Sequence, residues 1–201
     1  MQKDPTIATY DKYATVYDEG VIDFWRNFPS EFIDKFVVSL SGKRIVNLGS
    51  GSGRDALLLR QHGLDVVCVD ASSSMVDITN HLGFESHKMT FAEMDFPKES
   101  FDGAWAYTSL IHIPPREAEA AMRAIHGFLK PKGIFAIGAI EGETAGMVEH
   151  KTMPNASRYF KKYDRDELKL LVEKCGFKFM AELDYQPHNS VYLNQLYLKV
   201  G

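Results

Sequence analysis

The chemistry in this chain begins at a glycine-rich run, Val46-Asn47-Leu48-Gly49-Ser50-Gly51-Ser52-Gly53-Arg54-Asp55-Ala56. Alternating glycines let a backbone turn tightly and approach a ligand closely. A helix opening after them presents free N–H groups and the positive end of its dipole. Asp70 stands 19 residues beyond Gly51. A carboxylate there can accept hydrogen bonds from a pair of ribose hydroxyls; alone, it could equally cap a helix or end a strand in solvent. Gly51 to Ala56 formally fits G-x-G-x-x-A, the pattern of nicotinamide and flavin enzymes. In register with the preceding apolar run, however, the motif is Gly49-x-Gly51-x-Gly53. Arg54 then falls where the dinucleotide pattern needs Gly or Ala for close helix packing. A GxGxG loop supports a pyrophosphate less well and leaves room for a smaller group.

A second group of residues could act on a substrate. His112, in Tyr107-Thr108-Ser109-Leu110-Ile111-His112-Ile113-Pro114, titrates near neutrality and could take a proton. Flanked by two isoleucines, it could instead hydrogen-bond within the fold. Tyr107, Arg158, Tyr159 and His188 are further candidates, and Arg158 suits an acidic group. Arg54 could meet a ligand carboxylate or a structural acid. His150 has no partner legible in the sequence. Cys68 in a β-branched run and Cys175 on an apolar helix face read as inert. No His, Cys or acid spacing suggests a metal site.

These groups need elements to place them. The first 30 residues hold Tyr10, Tyr13, Tyr17 and Trp25 without a clean period. They read as an arm packed on the body or as a lid over a ligand. Phe32, Ile33, Phe36, Val37 and Leu40 share a helix face that Gly42 terminates. Residues 44–48, 65–70, 101–107 and 134–140 read as buried strands, with a weaker one at 85–89. Helices fall between them at 54–62, from Ser72 to Leu82, and after Pro114-Pro115. Ser74 and Asp77 have capping-box spacing, as do Asp164 and Glu167 at the last helix. Lys130 to Gly133 reads as a turn. Residues 141–163 carry Gly142, Gly146 and Pro154 with no period, and a connection that long is usually functional. Two closing strands, 177–185 and 191–200, are joined tightly enough to pair antiparallel. The alternation predicts an α/β fold with helices on both faces of a sheet.

With these motifs in view, the sequence resembles the class I S-adenosylmethionine-dependent methyltransferases from about residue 40 to the C-terminus. Val46 to Gly53 is similar to the first motif of that family, and Asp70 to its ribose-binding acid. Met94-Asp95-Phe96 resembles its adenine segment, Phe101-Asp102-Gly103 its fourth strand, and Leu129-Lys130-Pro131-Lys132-Gly133 the turn before its fifth. The small bacterial members with a Gly-Ser-Gly-Arg-Asp-Ala loop are the most similar; they share Arg158-Tyr159-Phe160, and the opening Tyr10-Asp11-Lys12-Tyr13-Ala14-x-x-Tyr17-Asp18 resembles the arm that closes over the cofactor in several of them. Asn47 departs from the pattern, standing where an acid is usual. The resemblance implies a doubly wound, seven-stranded, mostly parallel sheet with an antiparallel C-terminal edge hairpin, a Rossmann-like fold. It implies S-adenosylmethionine as cofactor and S-adenosylhomocysteine as product. It assigns the cofactor to Gly49, Ser50, Gly51, Arg54, Asp70, Ala71, Met75, Asp95, Phe96 and Ala106, with Tyr13 closing from the arm. His112 is the candidate catalytic base, and Tyr107, Arg158 and Tyr159 face the substrate.

Composition bounds the reading. The 201 residues form one expected domain, with 1–40 as arm and first helix and 141–163 as a substrate lid. With 45% apolar and 25% charged residues, the chain is neither disordered nor fibrous. A net charge of −4 leaves no electrostatic footprint for nucleic acid. Two cysteines point to a cytoplasmic protein. Met1 to Pro5 lacks a signal-peptide apolar region, and residues 134–140 are too few to span a membrane. The expected function is methyl transfer to a small molecule, by a monomer or homodimer. An NAD(P)-dependent oxidoreductase and a non-catalytic S-adenosylmethionine-binding module are the alternatives.

Overall fold

A computed structural model describes residues 4–149, 153–154 and 156–201. His150 lies outside the described residues.

The chain opens with α1 (Pro5–Arg26) and α2 (Ser30–Ser39). Five strands and three helices then alternate: β1 (Arg44–Leu48), α3 (Arg54–Gln61), β2 (Asp65–Asp70), α4 (Ser73–His81), β3 (Glu85–Lys88), β4 (Phe101–Tyr107), α5 (Pro115–Phe128) and β5 (Leu129–Ile140). A hairpin, β6 (Ala145–Glu149) and β7 (Ser157–Lys161), precedes α6 (Arg165–Glu173), β8 (Phe177–Tyr185) and β9 (Tyr192–Lys199). Single turns of 3-10 helix cover Phe91–Glu93 and Leu110–His112.

The main sheet has seven strands in the order β3-β2-β1-β4-β5-β9-β8. Adjacent strands among β1 to β5 pair in parallel, and β9 runs antiparallel between β5 and β8. The antiparallel strand β9 is therefore interior to the sheet, and β8 forms the edge. Strand order reverses between β1 and β4, which opens a crevice at the carboxyl ends of the strands.

Alternation along β1 supplies both faces of the sheet. Val46 and Leu48 join a core completed by Ala118, Met122 and Ile125 of α5 and Leu168 and Val172 of α6. Ile45 joins the opposite core with Phe32, Ile33 and Phe36 of α2, Leu59 of α3, Trp105 and Tyr107. Burial on two faces explains why the strands read as continuous apolar runs. Asp102 at the β4 entrance accepts from the Arg44 N–H (3.0 Å) and from Lys130 Nζ (2.8 Å).

Four sequence expectations are corrected here. The opening arm is a 22-residue helix, capped by Asp4 and started by Pro5, with non-helical geometry at Tyr13 (φ −114°, ψ 23°). Its described buried residues are Thr6, Thr9 and Ala14, so its buried face carries no apolar period. The connection 141–163 contains the β6–β7 hairpin, whose antiparallel register runs from Ala145↔Lys161 to Glu149↔Ser157. Ser72, not Ser74, caps α4, accepting from the Met75 N–H at 3.3 Å. Residues 129–140 run as one strand, with Lys132 in the left-handed region (φ 62°) where a turn was expected. No helix among the described residues is long and apolar enough to cross a membrane.

Candidate functional site

A cavity of about 470 Å³ lies at the carboxyl ends of β1, β2 and β4, beneath the first half of α1. That volume is in the range of small-molecule and cofactor sites.

The glycine loop forms its floor. Gly49, Gly51 and Gly53 have φ of 69°, 51° and 78°. A Cβ on Gly49 would meet the Ser109 Cβ at 2.3 Å, so close approach as well as φ demands glycine there. Asp70 ends β2 and ties the loop down. Its Oδ2 accepts from the Gly51 N–H (2.8 Å) and its Oδ1 from the Ser72 N–H (2.9 Å). Burial pushes the Asp70 carboxyl up to about 6, against the pull of the Ser72, Gly51 and Ala71 N–H groups. A carboxylate has roughly four lone-pair sites, more than these backbone donors fill, so acceptor capacity remains for a ribose hydroxyl. The cavity thus offers an acceptor pair beside a glycine cradle, which fits a ribose-bearing cofactor.

One wall is apolar, built by Met89, Phe91 and Met94 after β3 and by Ala121 and Ala124 of α5. This wall could take a flat ring. The other end holds Tyr10, Tyr17, Tyr107, Ser109 and His112. Ser109 Oγ is buried there without a hydrogen-bond partner, while the Tyr107 ring stacks on Tyr192 of β9 in the opposite core. Thr108 adopts φ 50° in this wall.

Polar contacts from α1 hold the roof. Thr9 Oγ1 donates to the Ser157 carbonyl (3.0 Å), and the Tyr159 N–H donates to Thr6 Oγ1 (3.0 Å). Asp11 accepts from Ser72 Oγ (2.8 Å) and the Ser74 N–H (3.3 Å) at the start of α4. Arg54 Nε and Nη2 grip both oxygens of Asp18, at 2.7 and 2.6 Å. That pair holds the Asp18 carboxyl below its usual range, chiefly through the Arg54 hydrogen bond. Tyr10 and Tyr17 pack edge to face, centroids 5.2 Å apart.

At the tyrosine end three side chains meet from three elements. The Tyr10 hydroxyl lies 2.8 Å from His112 Nε2, and Arg158 Nη1 donates to it at 2.6 Å. His112 Nδ1 lies 2.8 Å from the Tyr159 carbonyl oxygen. Burial lowers His112 to about 4 and raises Tyr10 to about 12.

Asn47 is fully buried beside Asp55, a carboxylate the sequence did not single out. Asp55 accepts from Trp105 Nε1 (3.1 Å) and the Ala56 N–H (2.8 Å). Burial still pushes its carboxyl up to about 6.

Of the residues proposed from sequence, Gly49, Gly51, Asp70, Ala71, Met75, Tyr107 and His112 line the cavity together. Several others lie outside that lining. Arg54 pairs with Asp18 rather than facing the cavity. Tyr13, at the kink, sends its hydroxyl outward to the Pro154 carbonyl (2.7 Å). The turn after β3 brings Met89 to Ala92 to the cavity, so exposed Asp95 falls outside it. Phe96 packs instead on Phe101 and Phe128. Ala106 is in the α5 core, and buried Ser50 stands behind the loop. Arg158 and Tyr159 act through Tyr10 and His112, and His188 is exposed beyond β8. Tyr10 and Tyr17, read from sequence only as part of the arm, line the cavity as well. Their spacing of seven, two helical turns on one face, was the available signal.

Comparison with known proteins agrees with this geometry. Residues 46–137 match the family described as Methyltransferase domain. The chain is 26% identical to the O-methyltransferase resE of Aspergillus sclerotiorum, over 88% of this chain and 77% of that protein. It is 25% identical to the O-methyltransferase rstn1 of Aspergillus nomiae, over 78% and 73%. The fold is that of Burkholderia thailandensis 1,6-didemethyltoxoflavin-N1-methyltransferase, solved with 1,6-didemethyltoxoflavin and S-adenosylhomocysteine. The TM-score is 0.74 at 20% identity, covering 96% of this chain and 87% of that one.

Proposed function

Because this protein is a class I S-adenosylmethionine-dependent methyltransferase, we propose that it methylates a hydroxyl or ring N–H of a small molecule held beneath α1. The carrying observation is the roofed cavity, with the Asp70 acceptor pair at one end and the Tyr10–His112 contact at the other. Gly49, Gly51, Asp70, Ala71 and Met75 would hold the cofactor, with Met89 to Phe91 against its base. The cofactor supplies an activated methyl group on a sulfonium. The chain must fix the acceptor on the methyl axis, exclude water and take up a proton; alignment contributes most of the acceleration. Tyr107, Tyr17 and His112 border the space left for the acceptor.

The arm and the hairpin connection together form the lid in this reading. Roof contacts to Ser157 and Tyr159 join the two. A net charge of −4 disfavours nucleic acid as the acceptor. A cytoplasmic monomer or homodimer fits the same reading. Isothermal titration with S-adenosylmethionine, S-adenosylhomocysteine, NAD and NADP tests the cofactor, and a phenol, catechol and N-heterocycle panel tests the acceptor class. Saturable binding of the first two ligands and turnover on the panel are expected. Binding of nicotinamide nucleotides alone would reject the reading.

A further inference from the structure

We propose that Tyr10 takes the acceptor's proton directly and in the same step passes its own phenolic proton to His112. This rests on the reading above, in which the acceptor group is an O–H or N–H. The hydrogen-bond directions carry the inference. The Tyr159 carbonyl can only accept, so His112 Nδ1 carries the ring proton and Nε2 is bare. Tyr10 therefore donates to Nε2 across 2.8 Å. Arg158, which can only donate, gives its Nη1–H to the phenol oxygen at 2.6 Å. A hydroxyl oxygen has two lone pairs. Arg158 uses one, and the other is left for a donor in the cavity that Tyr10 lines. Nε2 itself is already occupied by the phenol, so the acceptor meets Tyr10 and not the imidazole.

The balance is as follows. The acceptor O–H bond breaks and its proton goes to the Tyr10 oxygen. The Tyr10 O–H bond breaks and that proton goes to Nε2. The acceptor oxygen bonds the methyl carbon, and the carbon–sulfur electron pair remains on sulfur. His112 becomes a cation as the sulfonium charge disappears, so the closed cavity keeps its net charge. The groups bearing on this exchange are Arg158 from β7, Asp70 from β2, Asp4 at the cap of α1, Tyr10 and Tyr17 from α1, and Glu117 from α5, which lines the same cavity. Arg158 disfavours a charged imidazole, the Tyr159 carbonyl and Asp4 favour it, and Arg158 also eases proton loss from Tyr10.

Two experiments on the full chain test this. The first is ¹⁵N NMR titration of the His112 ring in complex with S-adenosylhomocysteine and, separately, with sinefungin, which carries an ammonium near the sulfonium position. The relay requires the proton on Nδ1 and a midpoint higher by about one pH unit or more with S-adenosylhomocysteine, the effect of one charge at short range in an effective dielectric of about 20. A proton resting on Nε2, or equal midpoints, would overturn it. Failure of S-adenosylhomocysteine to bind would instead remove the underlying cofactor assignment and the relay with it. The second compares Tyr10→Phe with wild type on phenol and on 4-nitrophenol, which is largely ionised at pH 8. The relay predicts roughly a hundredfold loss of kcat on phenol, the lower end for general base catalysis, and little loss on nitrophenol. Equal losses on both would reduce Tyr10 to a packing residue and refute the relay.

Discussion

Asp70 and Asp55 are two buried carboxylates with opposite prospects. Asp70 faces the cavity with spare acceptor capacity, so added donors would favour its charged form. Asp70→Asn should weaken S-adenosylhomocysteine by about 1.5–3 kcal/mol, the size of a charge-assisted hydrogen bond. Calorimetry showing unchanged affinity would remove the ribose role. The pH dependence follows from the raised carboxyl near 6. Below it Asp70 is protonated and must lose that proton to accept, so wild-type affinity should fall as pH drops through about 6. Asp55 has no cavity to serve; it accepts from Trp105 and the Ala56 N–H, and the neighbouring Asn47 favours its charged form. An amide at position 47 suits this neighbour, where a second carboxylate would not. Asn47→Asp would place two carboxylates together in the core. It should cost about 1–3 kcal/mol at neutral pH, the penalty for an unsatisfied buried group. Carboxyls raised in the folded state bind protons more tightly than in the unfolded one, so the deficit should shrink as pH falls from 6 toward 4. Urea denaturation at pH 7.5 and 5 measures both effects, and equal deficits at the two pH values would refute the pairing.

At the scale of the element, α1 has two unlike halves. Beyond the kink, Phe24 and Trp25 join an aromatic cluster with Phe28 and Tyr107. Before it, Thr6, Thr9, Tyr10 and Asp11 hold the roof through polar side-chain contacts. Contacts of that kind open at low free energy compared with a packed core. Lys12, just before the kink at Tyr13, is a natural trypsin site. Cleavage there should be slowed by S-adenosylhomocysteine and accelerated by Asp11→Ala, which removes the carboxylate contacts to Ser72 Oγ and the Ser74 N–H. A rate indifferent to the ligand would show that the arm does not close over it. The same polarity hid α1 from the sequence. A helix that buries threonines has no apolar stripe, and only Asp4-Pro5 and the Tyr10–Tyr17 spacing mark it. The β6–β7 hairpin was hidden for a related reason. Most of β6 is exposed, so no alternation survives, and Gly142, Gly146 and Pro154 read as breakers.

The whole molecule was more legible than its parts. The runs at 44–48, 65–70 and 101–107 are buried on both faces, and that double burial is written directly as unbroken apolar residues. The glycine loop and Asp70 were legible because φ and close approach leave little choice of residue. Asp95 lies exposed one residue beyond the cavity-lining Met94, after a 3-10 turn at Phe91–Glu93 whose three residues leave no period to read. The sheet reverses direction between β1 and β4, and the cavity sits where the reversal opens it. A ligand there touches α1, α4, α5 and the ends of three strands at once. Its binding should therefore stabilise the fold as one unit. At a hundred times its dissociation constant, S-adenosylhomocysteine adds about 2.7 kcal/mol, which for a chain of this size raises Tm by roughly 5–10 °C. NAD at the same concentration should leave Tm where it was. The shift should also narrow at pH 5.5, because the Asp70 carboxylate that favours the ligand is then largely protonated. Differential scanning calorimetry with both ligands at pH 7.5 and 5.5 makes the measurement. A shift independent of pH would keep the ligand in the cavity and take Asp70 out of its binding.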